Sequence, residues 1–199
     1  MKKISKIFFG LGTILIILSI FFLINDLNED KLAGSTSKKV LGIIENDLDN
    51  NDNSNKNYVD DTILIDGYNY IGIIEIPSIN LSQALVEGIS DNVLQYFLGH
   101  FPDSAAPGQV GNFAIAGHRV SDYTDAFINL YKVTAGDKII VKTHDKKYTY
   151  VIEENYIVNP DKVEVLDATE NATITLITCT VGSKQRVIVK GTLQSTEDL

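Results

Sequence analysis

The stretch Thr173-Ile174-Thr175-Leu176-Ile177-Thr178-Cys179-Thr180 is followed by a short polar segment around Gly182 and a second apolar run, Val187-Ile188-Val189. Both runs are rich in β-branched residues, and the segment between them is typical of a tight turn, so the pattern predicts two consecutive strands. Cys179 then ends the first strand, and Arg186 opens the second. We expect these two side chains to project from the same rim of a sheet.

Similar short runs precede this pair, separated by Gly, Pro, Asn and Asp. The pattern predicts strands at 70–76, 83–87, 112–117, 138–143 and 147–158, and short helices at 91–97 and around 124–130. Strands at this spacing with few helices are typical of an all-β barrel or sandwich.

The first 61 residues differ in composition from the rest of the chain. Residues 7–24 form an uncharged apolar run preceded by Lys2, Lys3 and Lys6, which predicts a transmembrane anchor with residues 1–6 in the cytoplasm. A cleaved signal peptide is the alternative, although its apolar core is usually shorter. Residues 25–61 are acidic and rich in Asn and Asp, which predicts an extracellular linker, and 62–199 form the folded domain.

Charge also limits the partners. The net charge is −9 and no basic stripe is present, so we do not expect nucleic acid to bind.

Cys179 is the only cysteine and cannot form an internal disulfide. In an exported chain a single cysteine indicates a reactive thiol or an intermolecular bridge, and the alternative is a buried cysteine that acts as a small hydrophobe. A thiol attacks as its thiolate, so a nucleophilic cysteine needs a nearby cation and a group that transfers protons.

Three histidines are candidates for proton transfer. His144 lies in a polar turn and is expected to be solvated, and His100 precedes Phe101-Pro102, where a loop-packing role is plausible. His118 directly follows the apolar strand predicted at 112–117. Like Cys179, it therefore lies at the end of a predicted strand. Arg186 stays protonated at any ordinary pH, so its natural role is to bind a carbonyl oxygen or an oxyanion.

These residues carry a family resemblance. The string Thr175-Leu176-Ile177-Thr178-Cys179 resembles the TLxTC signature of sortases, and Ala116-Gly117-His118 resembles their catalytic-histidine segment. Arg186 falls where sortases have their essential arginine. The segments 71–77, 99–102 and 107–112 are also similar, so the resemblance covers roughly 70–194.

The resemblance implies an eight-stranded sortase-type β-barrel with short helices behind the N-terminal transmembrane helix. Sortases are membrane-anchored cysteine transpeptidases of Gram-positive bacteria. They cleave an LPXTG-like sorting signal between Thr and Gly through a thioacyl enzyme, and they join the exported protein to an amine of the cell wall. The implied partners are therefore LPXTG-type surface proteins, a cell-wall precursor or peptidoglycan amine, and the membrane; no cofactor is implied.

The resemblance also implies residue roles. Cys179 is the nucleophile, His118 the general acid and base, and Arg186 the group that steadies the oxyanion. Ala116 and Thr178 are expected to line the substrate groove, and the backbone N–H of Thr180 is expected to supply a second oxyanion donor.

Some sortases bind calcium through carboxylates that follow the first strand. Here Glu75 matches, but Ser78 and Asn80 stand nearby in place of a carboxylate cluster. Calcium needs several oxygen ligands, so we predict no metal site and no calcium dependence.

The subclass and two rival functions stay open at this stage. The single anchor and the modest segment between Tyr156 and Thr173 resemble class A, with class D as the second choice. The rivals are a thiol peptidase that releases its product to water and a non-catalytic β-domain that binds a peptide at the surface.

Overall fold

The computed structural model describes residues 12, 14–21, 42, 58–59, 62–65, 67–120 and 126–199. Within these residues the chain forms ten strands joined by short turns. They are β1 Tyr58–Val59, β2 Thr62–Ile65, β3 Tyr68–Ile76, β4 Leu81–Glu87, β5 Leu98–His100, β6 Gly111–Ala116, β7 Lys138–Lys142, β8 Lys146–Val158, β9 Ala172–Cys179 and β10 Arg186–Asp198.

Strand pairing closes the sheet into a barrel. The strand order is β1-β2-β3-β4-β5-β6-β9-β10-β8-β7, and β3 also pairs with β7. The closed circuit therefore contains eight strands, β3 to β10, while β1 and β2 extend the sheet beyond β3 as an antiparallel pair. The predicted eight-stranded β-barrel is confirmed.

Alternating side chains fill the barrel. One face of each strand carries Val, Ile, Leu or an aromatic residue, and these side chains pack together inside. Fully buried examples from six strands are Ile74, Leu85, Ile115, Ile139, Leu176 and Val189. Burial of each such side chain stabilises the fold by roughly 1.5–3 kcal/mol relative to exposure, so the alternation fixes which residues face outward.

The helices are shorter than predicted. The segment predicted at 91–97 is helical only over Asp91–Leu94, and Ser90 precedes it without a side-chain capping bond. Of the turn predicted around 124–130, residues 124 and 125 lie outside the described residues, and the remainder is a turn leading into the 3-10 helix Leu130–Lys132. Further 3-10 helices occur at Pro77–Ile79 and Val163–Leu166.

Most of the N-terminal segment lies outside the described residues. Of the anchor predicted at 7–24, residues 12 and 14–21 are described; they are helical, and the side chains of 14–21 are exposed. Among the described residues, none of the helices has the length and apolar character needed to span a membrane. Of the linker predicted at 25–61, residue 42 and strand β1 at 58–59 are described, and β1 pairs with β2.

Candidate active site

Three adjacent strands bring the predicted catalytic residues to one end of the barrel. Cys179 is the cross-strand partner of Arg186 in the antiparallel pair of β9 and β10. On the other side, β6 runs parallel to β9 with Ala116 opposite Ile177. The Gly117 N–H continues this ladder by donating to the carbonyl of Ile177 at 3.1 Å. Extending this register by one residue beyond Gly117 sets His118 opposite Cys179.

The alternation of buried residues shows that these three side chains share a face. Leu176 and Val187 belong to the barrel core, so Cys179 and Arg186, each an odd number of residues away on its strand, project outward. Ile115 is also in the core, which places Ala116 and His118 on that same outer face. His118 is exposed, and Cys179 and Arg186 are half-buried.

The resulting order is imidazole, thiol, guanidinium across the ends of β6, β9 and β10. Neighbouring strands lie roughly 4.8 Å apart, so the three Cα atoms span about 10 Å. A thiol between a proton-transfer group and a fixed cation has the components for nucleophilic attack on an acyl carbon.

Gly117 explains how a histidine comes to follow β6 at this point. A Cβ atom on Gly117 would clash with the Cδ2 atom of Leu98 and lie 2.7 Å from Cδ2 of Phe127. Only glycine therefore lets the end of β6 pack closely against the interior. The next residue, His118, is carried outward at the rim, and its carbonyl accepts the N–H of Phe127 at 3.3 Å.

The two side chains predicted to line the groove, Ala116 and Thr178, lie on opposite faces of the sheet. Ala116 is half-buried on the face that bears His118, and its contact with substrate stays a prediction. Thr178 is 3% exposed, and its hydroxyl donates to the carbonyl of Gly117 at 2.8 Å. Because Thr178 lies on the interior face, we correct the expectation that it lines the groove: it ties the end of β9 to that of β6.

The N–H of Thr180, which was expected to face an oxyanion, forms a hydrogen bond within the β9–β10 loop, residues 180–185. That N–H donates to the carbonyl of Gln185 at 3.0 Å, and the Thr180 hydroxyl accepts the N–H of Gln185 at 3.1 Å. The Nη1 atom of Arg186 donates to the carbonyls of Ser183 and Gln185 at 3.2 and 3.1 Å. In this conformation the Thr180 N–H is therefore not available to substrate.

A buried amide attaches the β8–β9 connection to the outer face of the same strands. Asn112, at the start of β6, donates from Nδ2 to the carbonyls of Val165 and Asp167 at 3.0 and 3.2 Å. Its Oδ1 accepts the hydroxyl of Thr175 at 2.7 Å. This role is not readable from the sequence, since a polar Asn before an apolar run indicates only a strand start.

The other two histidines lie away from Cys179. His100 is buried in β5, with Nδ1 2.8 Å from Oε2 of Glu87 and Nε2 3.0 Å from the carbonyl oxygen of Ala105. The expected packing role of His100 therefore matches its contacts. His144 lies in the β7–β8 turn, where it is part-buried beside Asp145. Both histidines line a cleft of about 570 Å³ at the end of the barrel opposite the Cys179 rim.

Glu75, the residue that matches the calcium pattern, is already paired. Its Oε1 accepts the ammonium of Lys142 at 2.7 Å across β3 and β7. The absence of calcium dependence stays a prediction.

The sequence matches the family model described as Sortase domain over residues 74–194. Sortase A of Listeria monocytogenes is 30% identical over 131 residues, which cover 65% of this chain and 59% of that protein. Sortase A of Streptococcus agalactiae is 33% identical over 132 residues, which cover 63% of this chain and 53% of that protein. The chain therefore spans less than two thirds of the length of these relatives.

Among solved structures, the sortase D5 transpeptidase of Clostridium perfringens is similar with a TM-score of 0.58 and 36% identity, covering 62% of this chain and 78% of that one. Similarity extends to class A and class D proteins alike, so the subclass stays a prediction. The matched family segment covers more than half of the chain and contains His118, Cys179 and Arg186. The chain belongs to the sortase family.

Proposed function

We propose that this sortase is a cysteine transpeptidase that cleaves an LPXTG-like sorting signal between Thr and Gly and transfers the new carboxyl end to a cell-wall amine. The observation that supports this most directly is the order of His118, Cys179 and Arg186 across one rim of three adjacent strands. A peptide laid over that face presents a carbonyl to the central thiol.

The proposed first half-reaction is acylation. The Cys179 sulfur attacks the Thr carbonyl carbon, and the negative charge that develops on the carbonyl oxygen is stabilised by Arg186. His118 accepts the proton of the Cys179 thiol and donates it to the Gly nitrogen as the Thr–Gly bond breaks, which leaves a thioester on Cys179.

The second half-reaction reverses these roles. An incoming amine attacks the thioester carbon, and His118 accepts the proton of the amine and returns it to the Cys179 sulfur as that sulfur leaves. The products are a new amide bond and the regenerated thiol. His118 is exposed at the rim, where both the leaving and the incoming amine have access to it.

The proposed location follows from the sequence. The apolar run 7–24 anchors the chain as a single-pass protein, the lysines before it keep residues 1–6 in the cytoplasm, and the catalytic domain lies outside. LPXTG-type surface proteins and a peptidoglycan amine are then on the same side of the membrane as Cys179.

Mass spectrometry of the 199-residue chain in mild detergent tests the proposal. The protein is incubated with an LPXTG peptide, with and without a glycine-based amine. We expect a peptide adduct on Cys179 that resolves into an amine-linked product. Cys179→Ala abolishes the adduct, and His118→Ala leaves the thiol in place but slows its acylation by about 10²–10⁴-fold.

Two outcomes contradict the proposal. Equal release of free acid with and without amine indicates a thiol peptidase. Binding of the peptide without any adduct in the wild-type protein indicates a non-catalytic peptide-binding domain.

A further inference from the structure

We propose that Thr180 is a positioning residue: its hydroxyl holds the β9–β10 loop in the shape that fixes the guanidinium of Arg186 beside Cys179. This inference rests on the proposed function, because it assigns Arg186 as the oxyanion donor. It replaces the expectation that Thr180 itself contacts the substrate.

Gln185 connects Thr180 to Arg186 through its main-chain N–H and carbonyl groups. The Gln185 N–H donates to the Thr180 hydroxyl at 3.1 Å, and the Gln185 carbonyl accepts the Thr180 N–H at 3.0 Å. These two contacts fix the peptide planes on both sides of Gln185. The carbonyl held in this way also accepts Nη1 of Arg186 at 3.1 Å. Thr180 thereby determines where an acceptor for Arg186 lies.

The backbone conformation of the loop also determines where an acceptor for Arg186 lies. Gly182 has φ 76° and Ser183 has φ 58°, and the Ser183 N–H donates to the Thr180 carbonyl at 2.9 Å. A non-glycine residue in the left-handed region costs energy and persists where its surroundings determine it. In this conformation the Ser183 carbonyl is the second acceptor for Nη1 of Arg186, at 3.2 Å.

The arrangement leaves part of the guanidinium for substrate. An arginine side chain has five N–H donors in a rigid plane, and the two loop carbonyls engage only Nη1. Among the described residues, no hydrogen bond is made by Nε or Nη2 of Arg186. A guanidinium held at one edge keeps its other edge pre-oriented, so no reorganisation is needed as the oxyanion forms.

The test compares Thr180→Val, which removes the hydroxyl and keeps the shape, with Thr180→Ser, which restores the hydroxyl. The matched control is Thr143→Val, because Thr143 also accepts a main-chain N–H within a hairpin turn, that of Lys146 at 3.2 Å. That turn lies at the opposite end of the β8–β10 ribbon, where Lys146 pairs with Asp198 while Val158 pairs with Arg186.

Two measurements are made on the 199-residue chain. The first is the side-chain ¹⁵Nε–H signal of arginine. The sequence contains only Arg119 and Arg186, so an Arg119→Lys variant assigns both signals. The second is single-turnover acylation of Cys179 by an LPXTG peptide, measured as a function of peptide concentration and repeated in an Arg186→Ala background.

We expect Thr180→Val to shift or broaden the Arg186 signal while the Arg119 signal stays unchanged. The maximal acylation rate falls about tenfold and the half-saturating peptide concentration changes less than about twofold, because the interaction lost is one made in the transition state. Thr180→Ser and Thr143→Val behave like the wild type. In the Arg186→Ala background, Thr180→Val has no further effect.

An unchanged Arg186 signal in Thr180→Val overturns the inference, as does a rate loss of the same size in the Arg186→Ala background. A wild-type protein that never acylates refutes the proposed function, and the arginine signal still decides whether Thr180 positions Arg186. The two failures are therefore distinguishable.

Discussion

Asn112 offers the sharpest test of how the β8–β9 connection is held against the active-site strands. It is 2% exposed and Thr175 is 1% exposed, and the hydroxyl of Thr175 donates to Oδ1 of Asn112 at 2.7 Å. Asn112→Leu keeps the side-chain size but removes this acceptor and both donors to the β8–β9 connection.

The expected cost follows from the groups left behind. The Thr175 hydroxyl and the buried carbonyl of Val165 lose their partners, while Asp167 is exposed and its carbonyl has access to water. A buried polar group without a partner costs about 1–3 kcal/mol. We therefore expect Asn112→Leu to lower the free energy of unfolding by about 3 kcal/mol.

The pairing with Thr175 makes the prediction specific. Thr175→Val alone leaves Oδ1 of Asn112 without its donor and costs about 1–2 kcal/mol. When both residues are replaced, neither partner is left unpaired at this contact. The loss in the double variant is therefore smaller than the sum of the single losses by about 1–2 kcal/mol.

Urea unfolding of the four proteins, followed by circular dichroism, measures this coupling. The slope of unfolding free energy against urea should stay constant, since the buried surface hardly changes. Asn112→Leu combined with the remote Thr143→Val is the control and should be additive. If Asn112→Leu and Thr175→Val also add within about 0.3 kcal/mol, the reasoning from their shared hydrogen bond is refuted.

Two further predictions concern other parts of the barrel. Gly117→Ala should lower the unfolding free energy by about 1–3 kcal/mol, because the added methyl clashes with Leu98. It should also slow acylation of Cys179, because the clash displaces the start of the His118 segment. Thermal unfolding measures the first effect and the rate of adduct formation measures the second. Burial raises the pKa of Tyr150 to about 12 from an ordinary value of 10, so the folded state favours the neutral phenol. The contribution of this group to stability is therefore fully present below pH 10 and is lost as the pH rises toward 12. Tyr150→Phe should therefore flatten the decline in urea midpoint between pH 10 and 12. At neutral pH it costs about 1–2 kcal/mol, because the Gly108 N–H loses its acceptor at 2.8 Å. An unchanged alkaline decline in the variant would contradict the assignment of this decline to Tyr150.

The sequence was sufficient to predict the features that depend on local pattern. β-branched alternation identified β9, and the short polar segment after Cys179 identified the hairpin that pairs it with Arg186. The position of His118 at a strand end was also readable from the sequence, and its choice over His100 and His144 as the catalytic residue stays a prediction. Such predictions depend on periodicity and turn chemistry, which are readable without tertiary contacts.

The features that were missed depend on contacts distant in sequence. β5 has only three residues and exists because it pairs with both β4 and β6. β10 continues to Asp198 through polar residues because β8 pairs along its length. The role of Thr180 is hidden for a related reason: a threonine after a strand indicates a loop, but only the fold reveals that Gln185 occupies both its hydroxyl and its N–H.

The two kinds of strand pairing around β9 explain how such distant residues meet. An antiparallel hairpin brings the end of β9 to the start of β10, so Arg186 reaches Cys179 through a short loop. A parallel pair brings two strand ends together, so His118 must closely follow the end of β6, and the chain needs a long connection before β9 begins.

This geometry makes the site dependent on register. A slip of one residue between β6 and β9 would turn His118 toward the interior and leave Gly117 beside Cys179. The register is secured close to the site itself, because the Thr178 hydroxyl donates to the Gly117 carbonyl and the Gly117 N–H donates to Ile177. Under the proposed function, Thr178 therefore acts from inside the barrel: it fixes which of the two residues that follow β6, Gly117 or His118, faces the thiol.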